Sequence, residues 1–89
     1  MKAIVTVVGP DRVGIAGEIC TTLASLKINI VDISQTVMQN FFTMIMVVDT
    51  GSSDKTFDEI CDVLHQKEEE TGLSIRIQRE DIFHAMHRI

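Results

Sequence analysis

The stretch IVTVVGPDRVGIAGEICTTLASLKINIVDI, residues 4–33, carries the pattern on which the fold turns. It begins within a β-branched run, residues 2–8 (KAIVTVV), that stops at Gly9-Pro10, as a strand stops at a turn. GPDRVG follows at residues 9–14, and Asp11 is the expected N-cap because its carboxylate can accept bonds from amides two or three residues on. Ile15, Ile19, Leu23 and Leu26 then recur at helical spacing, flanked by Ala16, Cys20 and Ala24, with Glu18, Thr22 and Lys27 off that face. The helix is expected to end near Lys27. Residues 28–38 (INIVDISQTVM) read as a second strand whose alternation slips near Val31, where a bulge is expected.

The pattern continues outward from this unit. Gln39-Asn40 is a short polar break suited to a hairpin turn. Residues 41–49 (FFTMIMVVD) form a strand apolar on both faces, which therefore needs cover on both. Residues 51–54 (GSSD) are expected to cap a second helix, whose stripe is Phe57, Ile60, Cys61 and Leu64. Its outer face carries Asp58, Glu59, Asp62 and the solvated run Glu68-Glu69-Glu70, and Gly72 is its expected C-cap. In LSIRIQR, residues 73–79, Leu73, Ile75 and Ile77 point inward while Ser74, Arg76 and Gln78 point outward. In the tail, residues 80–89, Ile82, Phe83, Met86 and Ile89 have the spacing of a short amphipathic helix. The order is βαββαβ plus a tail helix. That order predicts one α+β domain, a ferredoxin-like sandwich of a four-stranded antiparallel sheet with two helices on one face. The other face is left for a partner subunit or the C-terminal segment to cover.

Composition narrows the function. With 89 residues there is room for one core. A net charge of −5 argues against binding a nucleic-acid backbone, and aromatics at 4% argue against a base-stacking platform. No apolar run is long enough for a membrane span, and the N-terminus does not read as a signal peptide. Cys20 and Cys61 are expected to be buried thiols in a reducing cytoplasm. A metal-chaperone loop would need cysteines that GPDRVG lacks. An acylphosphatase-like loop could draw on Arg12 and Asn29, but Asp11 would repel a phosphate. His84 and His87 are three apart, yet no third ligand is in view, so neither a metal nor a cofactor is expected. His65 reads as facing solvent.

The first loop is the most informative feature. A glycine-bounded turn into a helix presents free amides to a carboxylate, and Asp11 beside it could face an ammonium group. A free amino acid needs both receivers. On the bland reading, Asp11 only caps the helix and Gly14 only lets helix and sheet pack closely.

GPDRVG followed by Ile15, the amphipathic helix and KINIVDI resemble the first half of an ACT domain, and the later elements fit through about residue 80. The whole chain resembles the small stand-alone ACT proteins of bacteria and archaea, which are similar to ACT modules of the glycine cleavage system repressor type. The resemblance implies a non-catalytic regulatory module that binds an amino acid at a homodimer interface. The ligand would lie between the first loop of one domain and the start of the second strand of its neighbour. The candidate residues are then Gly9, Pro10, Asp11, Arg12, Val13, Gly14 and Ile15, with Asn29, Ile30 and Val31. Val13 stands where many relatives carry Pro, which leaves the loop less rigid. Any output would pass through a separate protein partner. The rival reading is an assembly module without a small ligand, drawing on Met38, Met44, Met46 and Met86 as surface residues.

Overall fold

The computed structural model describes residues 1–10 and 14–79. Asp11, Arg12 and Val13, the expected tail helix, and His84 and His87 fall outside the described residues. The elements follow in the expected order: β1 (Lys2–Pro10), α1 (Ile15–Ser25), β2 (Asn29–Met38), β3 (Phe41–Asp49), α2 (Phe57–Thr71) and β4 (Ser74–Arg79). All pairings are antiparallel, and the strands lie in the order β2-β3-β1-β4. This is the ferredoxin-like arrangement, with β2 and β4 at the edges.

The core lies on one face. Ala3, Val5 and Val7 of β1 alternate with outward residues, as do Phe42, Met44, Met46 and Val48 of β3. They meet Ile15, Ile19 and Leu23 of α1 and Ile60 and Leu64 of α2. Each of the Val, Leu, Ile, Phe and Met side chains among them contributes about 1.5–3 kcal/mol when fully buried. Met44 and Met46 are therefore core, which removes them from the surface expected by the assembly reading; Met38 remains exposed, and Met86 is not among the described residues. On the opposite face of β3, Phe41 and Ile45 are exposed and Val47 is half-buried; the C-terminal segment expected to cover part of that face lies outside the described residues. Cys20 and Cys61 are half-buried rather than buried, and both are free thiols. Burial and the neighbouring Asp58 and Asp62 push the Cys61 thiol above its ordinary value.

Local chemistry sets the turns. The register shift between Ile30 and Asp32 is the bulge expected at Val31. Gln39 and Asn40 both have positive φ, 50° and 72°, as a tight two-residue hairpin requires. Two expected caps are corrected. Asp11 is not the N-cap of α1: Gly14 is, in a left-handed conformation at φ 87°, and among the described residues no side chain caps the helix. Likewise residues 51–54 do not cap α2. Thr56 does: its Oγ1 accepts from the Glu59 amide at 3.2 Å while the Thr56 amide donates to Glu59 Oε1 at 2.8 Å. Gly72 closes the helix as expected.

Candidate functional site

The candidate residues fall into two groups at opposite ends of the sheet. Pro10 pairs with Phe41 beside the β2–β3 hairpin, so the first loop leaves the sheet at that end. Asn29 pairs with Asp49, which also pairs with Lys2, at the other end. β2 spans the distance between them, about 30 Å at the usual rise per residue. Within one chain the two groups do not meet.

At the loop end, Gly9 and Pro10 belong to β1 rather than to a loop. Gly9 is buried against Leu73, and a Cβ there would overlap Leu73 Cδ2. Gly14 is exposed, and a Cβ on it would meet nothing within 4 Å. Close packing is thus not what Gly14 provides; its positive φ is, because that conformation disfavours a side chain. The Gly14 carbonyl accepts the first helical bond, from the Glu18 amide at 2.9 Å. The amides of the first turn of α1 carry the positive end of the helix dipole toward the loop. Ile15 is fully buried, so its side chain belongs to the core.

At the other end, Asn29 is exposed, Ile30 packs against the core, and Val31 projects from the bulge. Asn29 lines a cleft of about 440 Å³ with Lys27, Ile28, Asp49 and Gly51. Lys27 adopts φ 59° where the chain leaves α1, and its Nζ lies 3.3 Å from Asp54 Oδ2. Asp49 Oδ1 accepts from the Gly51 amide at 2.9 Å and lies 3.5 Å from the N-terminal ammonium. The amide bond, then the ammonium, hold its carboxyl below the ordinary value. The cleft thus offers a cation, a carboxylate and an amide. Asp49 escaped the sequence reading because only the strand pairing brings it beside Asn29; Lys27 stands two residues before Asn29 in the sequence.

The edge of β2 was also missed. Met38 and Phe41 close the two-residue hairpin, so ladder bonds fall to Met38, Thr36, Ser34 and Asp32. The backbone groups of Val37, Gln35 and Ile33 therefore point away from the sheet, and the Ile33 amide takes the Asp32 carboxylate instead, at 2.9 Å. Ile33 and Val37 lie on the helix-side face, opposite Met46 and Phe42, but are exposed.

Among the described residues no cluster of three or more His, Cys, Asp or Glu side chains could hold a metal. His65 is exposed, between Glu68 at 3.2 Å and Glu69 at 3.4 Å. No helix among the described residues is long and apolar enough to cross a membrane.

The ACT domain pattern matches residues 2–78. A UPF0237 protein of Clostridium acetobutylicum is 51% identical over 89 residues, covering 100% of both chains. An ACT domain protein from Streptococcus pneumoniae superimposes with a TM-score of 0.82 at 39% identity, covering 98% of each chain. A structure described as a glycine cleavage system transcriptional repressor matches with a TM-score of 0.76 at 22% identity, covering 86% of this chain and 44% of that one. This last likeness is one of fold.

Proposed function

The chain belongs to the ACT domain family, and on that premise we propose that it is a non-catalytic sensor whose two copies hold a free amino acid between them. ACT domains are regulatory, amino-acid-binding modules. The observation that carries the reading is the separation of the candidate residues to opposite ends of one sheet. Two copies joined antiparallel along β2 bring the loop end of one chain to the Asn29 end of the other.

The β2 edge supports that pairing. Centring it on Gln35 sets Ile33 of one copy against Val37 of the other, twice, on one face. At the shared site, the first-turn amides of α1, with Gly9, Pro10, Arg12, Val13 and Gly14 shaping the approach, receive the ligand's carboxylate. Asp11 receives its ammonium group. The Asn29 amide both donates and accepts, and Ile30 and Val31 set the backbone beside it. Ligand binding favours the pairing geometry that completes the site, by no more than its differential affinity for that geometry. A separate cytoplasmic protein reads the change. The reading needs no cofactor, nucleic acid or membrane.

The test is thermal unfolding with each free amino acid in turn, at fixed protein concentration. A ligand at 100 times its Kd stabilises by about 2.7 kcal/mol. A selective rise in Tm that is lost in Asn29→Ala is the expected result. No rise with any amino acid, for a confirmed dimer, overturns the sensor. It would favour the assembly reading, for which Val31, Ile33, Val37 and Met38 on β2, with Phe41 across the hairpin, are exposed apolar side chains.

A further inference from the structure

The outer edge of β2 is not uniform along its length. Toward the hairpin, the amides of Gln35 and Val37 point away from the sheet. The amide of Ile33 points the same way but is already taken, by Asp32 Oδ1 at 2.9 Å. Just before Asp32 the ladder slips, so Val31 has no partner on β3. A bulge and a carboxylate on an edge strand both hinder the addition of another strand. The edge is thus blunted at residues 31–33, although Val31, Ile33, Val37 and Met38 along it are exposed.

On the β2 pairing proposed above, on which this rests, we infer that Asp32 is an autoinhibitory latch on self-association. Centred on Gln35, the pairing makes Ile33 of each copy and Val37 of the other exchange backbone bonds. The Ile33 amide must then donate to a Val37 carbonyl. An N–H with a close acceptor at 2.9 Å does not fill both roles at full strength. Each copy must therefore release its Asp32 carboxylate before the ladder closes, and the two-fold symmetry makes the cost fall twice. A bond to a carboxylate is stronger than one to a neutral carbonyl, so the exchange is uphill at this position. The released carboxylate gains nothing in return: the pairing sets Asp32 opposite Met38 of the other copy, and a thioether donates no hydrogen bond.

The latch stands beside the residues assigned to the ligand, since Asn29, Ile30 and Val31 directly precede Asp32 in the chain. An apolar edge that paired completely without ligand would leave no equilibrium for a ligand to shift. By holding back the Ile33 amide, Asp32 keeps separate chains populated. The amino acid seated next to it then sets how many of them pair.

The test is sedimentation equilibrium on the full chain without ligand, comparing the parent with Asp32→Ala and Asp32→Asn. Asp32→Ala removes the acceptor and should tighten self-association about tenfold, because the freed amide counts in both copies. Asparagine keeps a side-chain oxygen that takes the same amide, so Asp32→Asn should stay within about threefold of the parent. Equal tightening by both variants would assign the effect to charge alone, and no tightening in Asp32→Ala would leave the carboxylate without a role; either overturns the latch. Amide hydrogen exchange separates this failure from failure of the pairing itself. Exchange at Gln35 slows with rising protein concentration if copies pair along β2. Slowed exchange at Gln35 with unchanged association in Asp32→Ala overturns the latch alone. Unslowed exchange at Gln35 in a chain shown to be dimeric overturns the pairing, and the latch with it.

Discussion

At one edge of the sheet β4 is six residues long and has its outward Ile75 amide held by its own chain; at the other β2 is ten residues long and pairs with no second strand among the described residues. Glu68 of α2 closes the first. Its Oε2 accepts from the outward-pointing Ile75 amide at 2.7 Å, with Arg76 Nη1 4.0 Å from the same oxygen. Oε1 lies 3.2 Å from His65 Nδ1. On β2 the outward backbone groups of Val37 and Gln35 meet no element of the sheet, and Ile33, Val37 and Met38 stand exposed around them. Exposed long edges invite pairing, and proteins ordinarily blunt them. The proposed pairing of two copies uses the edge that is left apolar.

The largest expected effect breaks the open edge. Ile33→Lys with Val37→Lys sets lysines against each other across the β2 pairing. Sedimentation equilibrium should show association weakened at least 100-fold, about 2.7 kcal/mol. Because both side chains are exposed in one chain, monomer stability should move by less than about 0.5 kcal/mol. An unchanged dimer would place the contact elsewhere.

Next comes the joint between β1 and the start of β4. In Gly9→Ala the new methyl group overlaps Leu73 Cδ2, and Leu73 is itself buried. Overpacking of this kind costs about 1–3 kcal/mol, read as a drop in Tm. A loss below about 0.5 kcal/mol would show that Leu73 turns aside freely.

The smallest effect sharpens the closed edge. Glu68→Gln weakens the bond to the Ile75 amide and should cost about 1 kcal/mol at neutral pH. The Ile75 amide first, then His65 and Arg76, hold the Glu68 carboxyl below its ordinary value of 4.5. Its stabilisation is therefore present above that value and is lost as pH falls through the lower folded value. Denaturant titrations from pH 6 to pH 3 should show a shallower acid loss in Glu68→Gln than in the parent. Equal slopes would mean that the clasp is not charged.

What the sequence revealed depended on how local the cause was. The bulge at Val31, the Gln39-Asn40 turn and the Gly72 cap follow from a few adjacent residues, and all were legible. The cap of α1 was not: Asp11 has the better capping side chain, but the chain enters the helix through the left-handed turn at Gly14. The cap of α2 lay two residues past the expected loop, in the reciprocal Thr56–Glu59 pair. Exposure on β2 was also hidden, because Ile33 and Val37 alternate like core residues. Their exposure shows only in the folded chain. For the candidate site, the residues named by resemblance were readable one by one. Their placement at opposite ends of the sheet, and the nearness of Asp49 to Asn29, needed the register of three strands.

The central claim is a site divided between two chains, and mixing two damaged chains tests it most directly. Asn29→Ala and Asp11→Ala each damage both sites of their own dimer. A mixed dimer carries one site with both lesions and one with neither. Titration calorimetry should be run with the amino acid that raises Tm. The account predicts no binding by either variant alone and partial recovery of sites at parental affinity after the two are unfolded and refolded together. No recovery, with mixed dimers confirmed by mass spectrometry, would place the whole site within a single chain and contradict it.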